Sequence, residues 1–427
     1  MPVVAGAVGL AGIAAESGTP VWVYDAASIR HRIAALRSFD TIRFAQKACS
    51  NIHILSLMRE EGVQVDAVSA GELERARRAG YPVGADAARA AGADEDDDPV
   101  VFTADVLDRP TLARVVRDRV TVNCGSPQML EQLGQASPGH RVWIRVNPGF
   151  GHGHSRKTNT GGAFSKHGIW HEELADSLAI VDRFGLELAG LHMHIGSGAD
   201  FEHLARVADA MVELVIASGR DVPAISAGGG LPVPYAEDDQ ELDTDEYFRL
   251  WDAARERLAA HLGHPVRLEI EPGRFLVASS GVLVAEVRAF KRVGANRFVL
   301  VDAGFNDLMR PALYGAAHRV TVLDADGAER TGATTETVLA GPLCESGDVF
   351  TQAEGGEVLT IRLPAVEVSD LVVFHDAGAY GASMSSTYNS RPLAPEVLVD
   401  GGAARLIRRR QTIEDLLELE SGPALLA

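Results

Sequence analysis

Eight times between Ile42 and Ile270 a short apolar run gives way to a stretch of helical period. The runs are Ile42–Ala45, Val63–Val68, Val100–Thr103, Val120–Asn123, Arg141–Val146, Leu188–Met193, Ala224–Ala227 and Val266–Ile270. Between them lie amphipathic stretches such as Ile52–Glu61, Gly71–Ala79, Glu172–Arg183, Leu204–Ser218 and Asp245–His261. Strands that alternate with helices pair in parallel, because each crossover helix must pack back onto the sheet. Eight units in about 240 residues is the size of a closed (β/α)8 barrel. A doubly wound open sheet is the competitor, since closure is not written in one dimension.

The residues at the carboxyl end of each run narrow the reading. Lys47 comes after the first and Ser69 after the second; Cys124-Gly125-Ser126 follows the fourth and Asn147 the fifth. His192-Met193-His194 ends the sixth, Gly228-Gly229-Gly230 follows the seventh, and Glu271-Pro272-Gly273-Arg274 the eighth. Polar and glycine residues at the carboxyl ends of barrel strands meet at one face, where active sites are built.

Past Arg274 the long helical patterns stop until Ile413–Leu419. Val282–Val293, Phe298–Val301, Val320–Leu323, Glu336–Leu339, Glu357–Ile361, Leu371–His375, Glu396–Val399 and Ala404–Ile407 read as strands joined by turns such as Asp400-Gly401-Gly402. The expected organisation is a barrel over residues 27–278 and a β-sandwich or β-barrel domain over 279–427, joined by the strand within residues 1–26 (Pro20 to Asp25). At 427 residues the chain has room for both.

Composition excludes several classes of function. Forty basic against fifty-nine acidic residues gives a net charge of -19, which argues against general affinity for nucleic acid or anionic membrane. The three cysteines, Cys49, Cys124 and Cys344, are too few and scattered for a disulfide framework or a Cys-rich zinc site, so a reducing, cytoplasmic setting is expected. Residues Pro2 to Ala15 lack a basic start and are too short to span a bilayer. The acidic run Asp94 to Asp98 is read as a solvated loop without a function.

The chemistry-bearing residues each admit more than one use. Lys47 is either a surface lysine or, if desolvated, an amine nucleophile. Gly228 to Gly230 suit close approach of a phosphate, to which a following helix start would add its dipole, and Ser197 is a further candidate donor. Arg274 has a planar fork for an anion. Glu271 needs a cationic partner: a salt bridge to Arg267 or Arg274, or a protonated pyridine nitrogen. His192 and His194 offer a metal pair, simple packing, or one imidazole stacked on a flat ring; the same metal reading applies to His152-Gly153-His154, whose glycines suggest a mobile loop. In the second half, Arg310, Tyr314, Glu345 and Tyr380 are suited to gripping a charged amino acid, and Cys344 is a candidate acid or nucleophile, or else an inert thiol.

Taken together, the motifs FAQKACSN, HMHIGSG, AGGGLPVPY, EPGRFLVASSGV, VDAGFNDLMRPALYG, GPLCESGDVF and AGAYGASMSSTYNSRP resemble those of the diaminopimelate decarboxylases, a fold-type III pyridoxal-phosphate family related to ornithine and arginine decarboxylases and to alanine racemase. The resemblance runs from about Thr19 to the C-terminus. It implies that Lys47 carries pyridoxal 5'-phosphate, that His194 stacks on its ring, that Glu271 holds the ring nitrogen, and that Ser197, Gly228, Gly229, Gly230 and Gly273 surround the phosphate. It further implies that Arg274, Arg310, Tyr314 and Glu345 bind substrate, that Tyr380 touches cofactor and substrate, and that Cys344 donates a proton. It implies a homodimer in which Cys344 and Glu345 complete the partner's site, no metal, and conversion of meso-2,6-diaminoheptanedioate to L-lysine, the last step of lysine synthesis. Departures are the longer acidic loop around Asp94–Asp98, and Lys166-His167 where many relatives carry an aromatic. An ornithine or arginine decarboxylase would share the cofactor residues; a catalytically inactive regulatory homologue is the alternative from another class.

Overall fold

The computed structural model describes residues 9–93, 97–151, 160–196, 201–235 and 239–422. The chain forms two compact units: Arg30–Val233 with Gln240–Leu276, and Met1–Ile29 with Pro234–Asp239 and Val277–Ala427.

The first unit is a closed barrel of eight parallel strands: Thr41–Ala45, Gln64–Ala67, Val100–Ala104, Val122–Cys124, Arg141–Asn147, Glu187–Met193, Ala224–Ser226 and Arg267–Ile270. Each pairs with the next, and the last returns to the first through Ile270 opposite Ile42. Closure decides against the open sheet. Helices follow the strands, and the turn chemistry is local. Asn51, Ser69, Asp108, Ser126 and Asp243 each accept a hydrogen bond from a backbone N–H of the first helical turn. Ser69 and Ser126, two of the polar strand-end residues, are therefore helix caps, each satisfying one of the donors a helix start leaves unpaired.

The barrel strands alternate with period two. Ile42, Phe44, Val65, Phe102, Val122, Ile144, Leu191, Ile225 and Leu268 are buried on one face. The alternate positions carry Arg43, Asp66, Thr103, Asn123, Trp143, Arg145, His192, Ser226 and Glu269, also buried. Most of these line one small cavity drawn from strands all round the sheet, so they fill the interior, where barrels ordinarily place branched apolar side chains. Arg43 compensates much of that polarity. Its Nη2 and Nε donate to Glu269 Oε2 at 2.9 and 3.3 Å, and Nη1 donates to the Asp98 carbonyl at 2.6 Å. Asp98 also accepts from Arg141 at 3.0 Å, so this end of the acidic run is a structural anchor; Asp94 to Asp96 lie outside the described residues.

The second unit is a nine-stranded sheet. Val21–Asp25 runs antiparallel to Gly281–Val293 and parallel to Glu396–Asp400, which brings the N-terminal strand into the C-terminal domain. The 13-residue strand Gly281–Val293 pairs with Val21–Asp25 and Leu371–Phe374 along its first half and with Asn296–Val301 along its second. An irregularity between Val287 and Ala289 marks the change of partner, the usual means by which a sheet turns a corner. Helix Leu10–Ser17 covers part of the sheet: Leu10, Ile13 and Ala14 pack on Val21, Val23, Val282, Val284, Val373, Val397 and Val399. The segment expected as strand Glu357–Ile361 differs. Glu357 and Leu359 instead bond back to Ala353 and Thr351 around Gly355-Gly356, and the ladder to Thr335–Ala340 starts only at Ile361–Leu363.

Candidate active site

The barrel's carboxyl-terminal mouth collects most of the residues expected there. Lys47 sits on a single 3-10 turn, Gln46–Ala48, that continues the first strand. Gln46 and Ala48 are buried and Lys47 is exposed between them, so burial is not what distinguishes this lysine. Its surroundings do: its positive charge acts on Asp66, Glu72, His194 and Glu271. Gln46 Nε2 donates to the Asp66 carbonyl at 3.2 Å and fixes the turn to the second strand.

Glu271 leaves the eighth strand with its N–H bonded to the Gly228 carbonyl at 2.7 Å. Among the described residues its carboxylate pairs with no arginine: Arg267 is taken by Glu269 at 3.1 Å, and Glu271 Oε2 lies 3.0 Å from His192 Nε2. Burial would raise the Glu271 carboxyl, but the adjoining His192 and the Lys47 charge outweigh it and hold it below the ordinary range. Asp66 goes the other way. Burial and the neighbouring Glu271 push it well above that range.

His194 is held well below the usual imidazole range by burial, Arg145 and Lys47, so the ring is neutral. Its Nδ1 accepts the Gly229 N–H at 3.0 Å, which leaves the ring proton on Nε2. His192 and His194 thus do different work, one beside a carboxylate and one on a backbone amide. Among the described residues, no group of three or more His, Cys, Asp or Glu is placed to hold a metal ion.

The glycine turn is required by space. A Cβ on Gly228, Gly229 or Gly230 would stand 2.2, 2.2 and 2.0 Å from the carbonyl oxygens of Met193, Glu271 and Gly196, and Gly228 and Gly230 have φ of +62° and +90°. The Gly228 and Gly229 N–H groups are already bonded, to Ser226 Oγ and His194 Nδ1; Gly230 N–H has no partner among the described residues. Among the described residues the next helix begins only at Thr244, so the expected helix dipole does not act at this turn. Gly273 packs against Ala45 and Ala48, where a Cβ would come within 3.3 and 3.4 Å, and Pro272 O accepts from Ala45 N at 3.1 Å. These contacts tie the Glu271–Arg274 segment to the Lys47 turn, and Arg274 stands half-buried at its end. Ser197, His152 and His154 lie outside the described residues.

Asp66, Glu72 and Arg145 are members of this site that motifs alone do not reveal, and the motif that contains His192 does not reveal its contact with Glu271. A signal exists for three of them. Asp66, Arg145 and His192 occupy the inward register of strands whose other register is apolar, and a polar residue in that register of a barrel needs a use.

The second unit holds the other expected residues. In the loop from Gly341 to Asp348, the buried Asp348 carboxylate accepts from Phe305 N and Leu343 N at 2.8 and 2.7 Å. That fixes the backbone beneath Cys344 and Glu345, both exposed. Cys344 N donates to Asn389 Oδ1 at 2.9 Å, and Tyr388 OH lies 3.4 Å from Glu345 Oε2. Arg310 is buried, with its guanidinium 4.7 Å above the Tyr235 ring and Nη1 3.0 Å from His318 Nε2. Tyr314, half-buried, ends the short helix that Arg310 begins. Tyr380 has φ of +56°, costly for a bulky residue and a mark of a position held for a purpose.

The barrel mouth offers an amine among carboxyls, an ionised carboxylate that can accept from a ring N–H, a neutral imidazole face, and a crowded glycine turn with one N–H unpartnered among the described residues. As a donor set this fits a phosphorylated pyridine aldehyde. The family comparison agrees, and the chain belongs to the pyridoxal-dependent decarboxylases: residues 26–278 match the family described as pyridoxal-dependent decarboxylase, pyridoxal binding domain. Within that family the chain is 70% identical to the diaminopimelate decarboxylase of Streptomyces coelicolor over 97% of its own length and 93% of the relative's. Among solved structures it is similar to a diaminopimelate decarboxylase crystal structure, with TM-score 0.91 and 62% identity over 96% of each chain. The Helicobacter pylori diaminopimelate decarboxylase, solved in complex with L-lysine, matches with TM-score 0.83 and 28% identity over 96% of this chain and 98% of that one.

Proposed function

We propose that the chain removes one carboxylate of meso-2,6-diaminoheptanedioate, at the D-configured carbon, to give CO2 and L-lysine. A carboxylate leaves as CO2 and one proton takes its place, so the residues must bind a doubly zwitterionic substrate, accept an electron pair and supply a proton. Pyridoxal phosphate, when bound, supplies the sink for that electron pair. Lys47 would hold it covalently, Glu271 would accept the N–H of its ring, His194 would lie against the ring, and Gly228 to Gly230, Gly273 and Ser197 would surround the phosphate. Arg274, Arg310, Tyr314, Glu345 and Tyr380 bind substrate in this reading, and the Cys344 thiol gives its proton to the carbon that lost the carboxylate.

Arg310 and Glu345 provide opposite charges for the distal ammonium-carboxylate end, which ornithine and arginine do not present in that form. The chain acts as a cytoplasmic homodimer in which Cys344 and Glu345 complete the partner's site; their exposure on a loop pinned by the buried Asp348 supports this. The observation that carries the reading is the meeting of Lys47, Glu271 and His194 at one barrel mouth. The test is product analysis with purified protein given meso-diaminopimelate, ornithine or arginine, with and without added pyridoxal phosphate. CO2 and lysine should form from the first alone and depend on the cofactor. Equal turnover of ornithine or arginine would overturn the substrate assignment.

A further inference from the structure

His192 is an interior residue beside Glu271 that the proposed reaction does not use. It is 2% exposed, on the sixth strand, with Nε2 3.0 Å from Glu271 Oε2. That distance is within hydrogen-bond reach, and Nδ1 has no partner among the described residues. Buried polar atoms without partners are rare, and each calls for an explanation. Two more such atoms, Trp143 Nε1 and Asn123 Oδ1, belong to side chains lining the same cavity of about 10 Å³ as His192, Thr103, Ser226 and Glu271. A cavity near that size holds one water if two or more polar groups surround it.

The donors and acceptors in this cavity allow one consistent wiring. Trp143 Nε1–H can only donate and Asn123 Oδ1 can only accept, since the Asn123 amide already donates to Thr103 at 3.3 Å. One water accepting from Trp143 and donating to Asn123 would have a second proton left for His192 Nδ1, and the ring proton would then sit on Nε2, facing Glu271. The other tautomer would set a nitrogen lone pair against a carboxylate oxygen at 3.0 Å.

We propose that His192 is a positioning residue for the decarboxylation: its Nε2–H holds Glu271 Oε2, with the imidazole oriented by a single buried water shared with Trp143 and Asn123, so that Glu271 Oε1 is the oxygen turned to the cofactor's ring nitrogen. The inference rests on the proposed role of Glu271 at that nitrogen. It explains why a histidine occupies a barrel-interior site where an apolar residue would pack at no polar cost. Outer residues that orient a primary contact typically change affinity or activity 10–100-fold when lost.

The experiment compares the wild-type holoenzyme with His192→Phe and His192→Gln. In His192→Phe, pyridoxal phosphate should dissociate at least tenfold more readily by equilibrium dialysis. The absorbance of the bound cofactor should shift, and kcat should fall by about tenfold or more with KM for meso-diaminopimelate nearly unchanged. His192→Gln, which can still donate to Glu271, should recover most of the affinity and the spectrum. A His192→Phe protein within twofold of wild type in cofactor affinity and kcat overturns the inference, while a wild type inactive on meso-diaminopimelate overturns the functional reading instead. If His192→Phe does not fold, nitrogen-15 NMR of cofactor-stripped wild type decides. A proton on His192 Nε2 with Nδ1 bare supports the wiring, and a proton on Nδ1 overturns it.

Discussion

Replacing Arg43 by methionine tests whether the polar barrel interior is held together by pairing. Both partners of the Arg43–Glu269 bridge are about 5% exposed or less, and the bridge is made twice, at 2.9 and 3.3 Å. Breaking a buried pair by removing one partner costs about 3–5 kcal/mol, because the remaining charge is stranded. The structure says which end of that range each variant reaches. After Arg43→Met, Glu269 keeps Arg267 at 3.1 Å, so the loss should be near about 3 kcal/mol. After Glu269→Leu, the buried Arg43 loses its bonded carboxylate and keeps its hydrogen bond to the Asp98 carbonyl, with Asp98 and Asp66 attracting it from farther away, so the loss should approach about 5 kcal/mol. The double variant leaves only the more exposed Arg267 and should recover most of the stability. Urea unfolding followed by tryptophan fluorescence reads these losses. With a slope near 3 kcal/mol/M, about 3 kcal/mol shifts the midpoint by about 1 M. Equal, sub-kilocalorie losses in both single variants, with no recovery in the double, would refute the argument that the interior depends on this pair.

Acid stability should report His375, buried in the second unit and held down to about 4 by burial, then by Arg319. The unfolded chain takes up this proton below pH 6.5 and the folded chain only near 4, so the contribution is intact above 6.5 and is lost as pH falls through that window. The loss totals about 3 kcal/mol, and His375→Asn should flatten that part of the melting temperature profile against pH. Gly230→Ala should lower cofactor retention in dialysis without unfolding the barrel, because a Cβ there meets the Gly196 carbonyl at 2.0 Å. If the site is shared, mixing inactive Lys47→Ala and Cys344→Ala proteins should restore activity towards a quarter of wild type per site, through dimers with one intact site; no recovery on mixing excludes sharing.

Much of the barrel is legible in the sequence because its strands differ in chemistry from everything between them. All eight runs form strands, and the residues at their ends do converge. A linear reading cannot separate two uses of the same position. Ser69 and Ser126 follow strands as Lys47 and Glu271 do, yet they cap helices. The glycine triplet reads in sequence as either a phosphate cradle or just a tight turn, and in the structure two of its three amides are spent on Ser226 and His194. Salt bridging of Glu271 to an arginine is plausible from sequence neighbours, but side chains in a barrel interior meet across strands that are not neighbours, and there the partner is His192 of the sixth strand. The strand expected over Glu357–Ile361 starts later because a Gly-Gly hairpin uses the first of those residues before the ladder begins.

Lys47 carries the central claim. Lys47→Ala protein, purified in the presence of pyridoxal phosphate, should show neither the visible absorbance of covalently held cofactor nor release of CO2 from meso-diaminopimelate, with its fold intact by circular dichroism. A Lys47→Ala protein that decarboxylates meso-diaminopimelate at the wild-type rate would contradict the account.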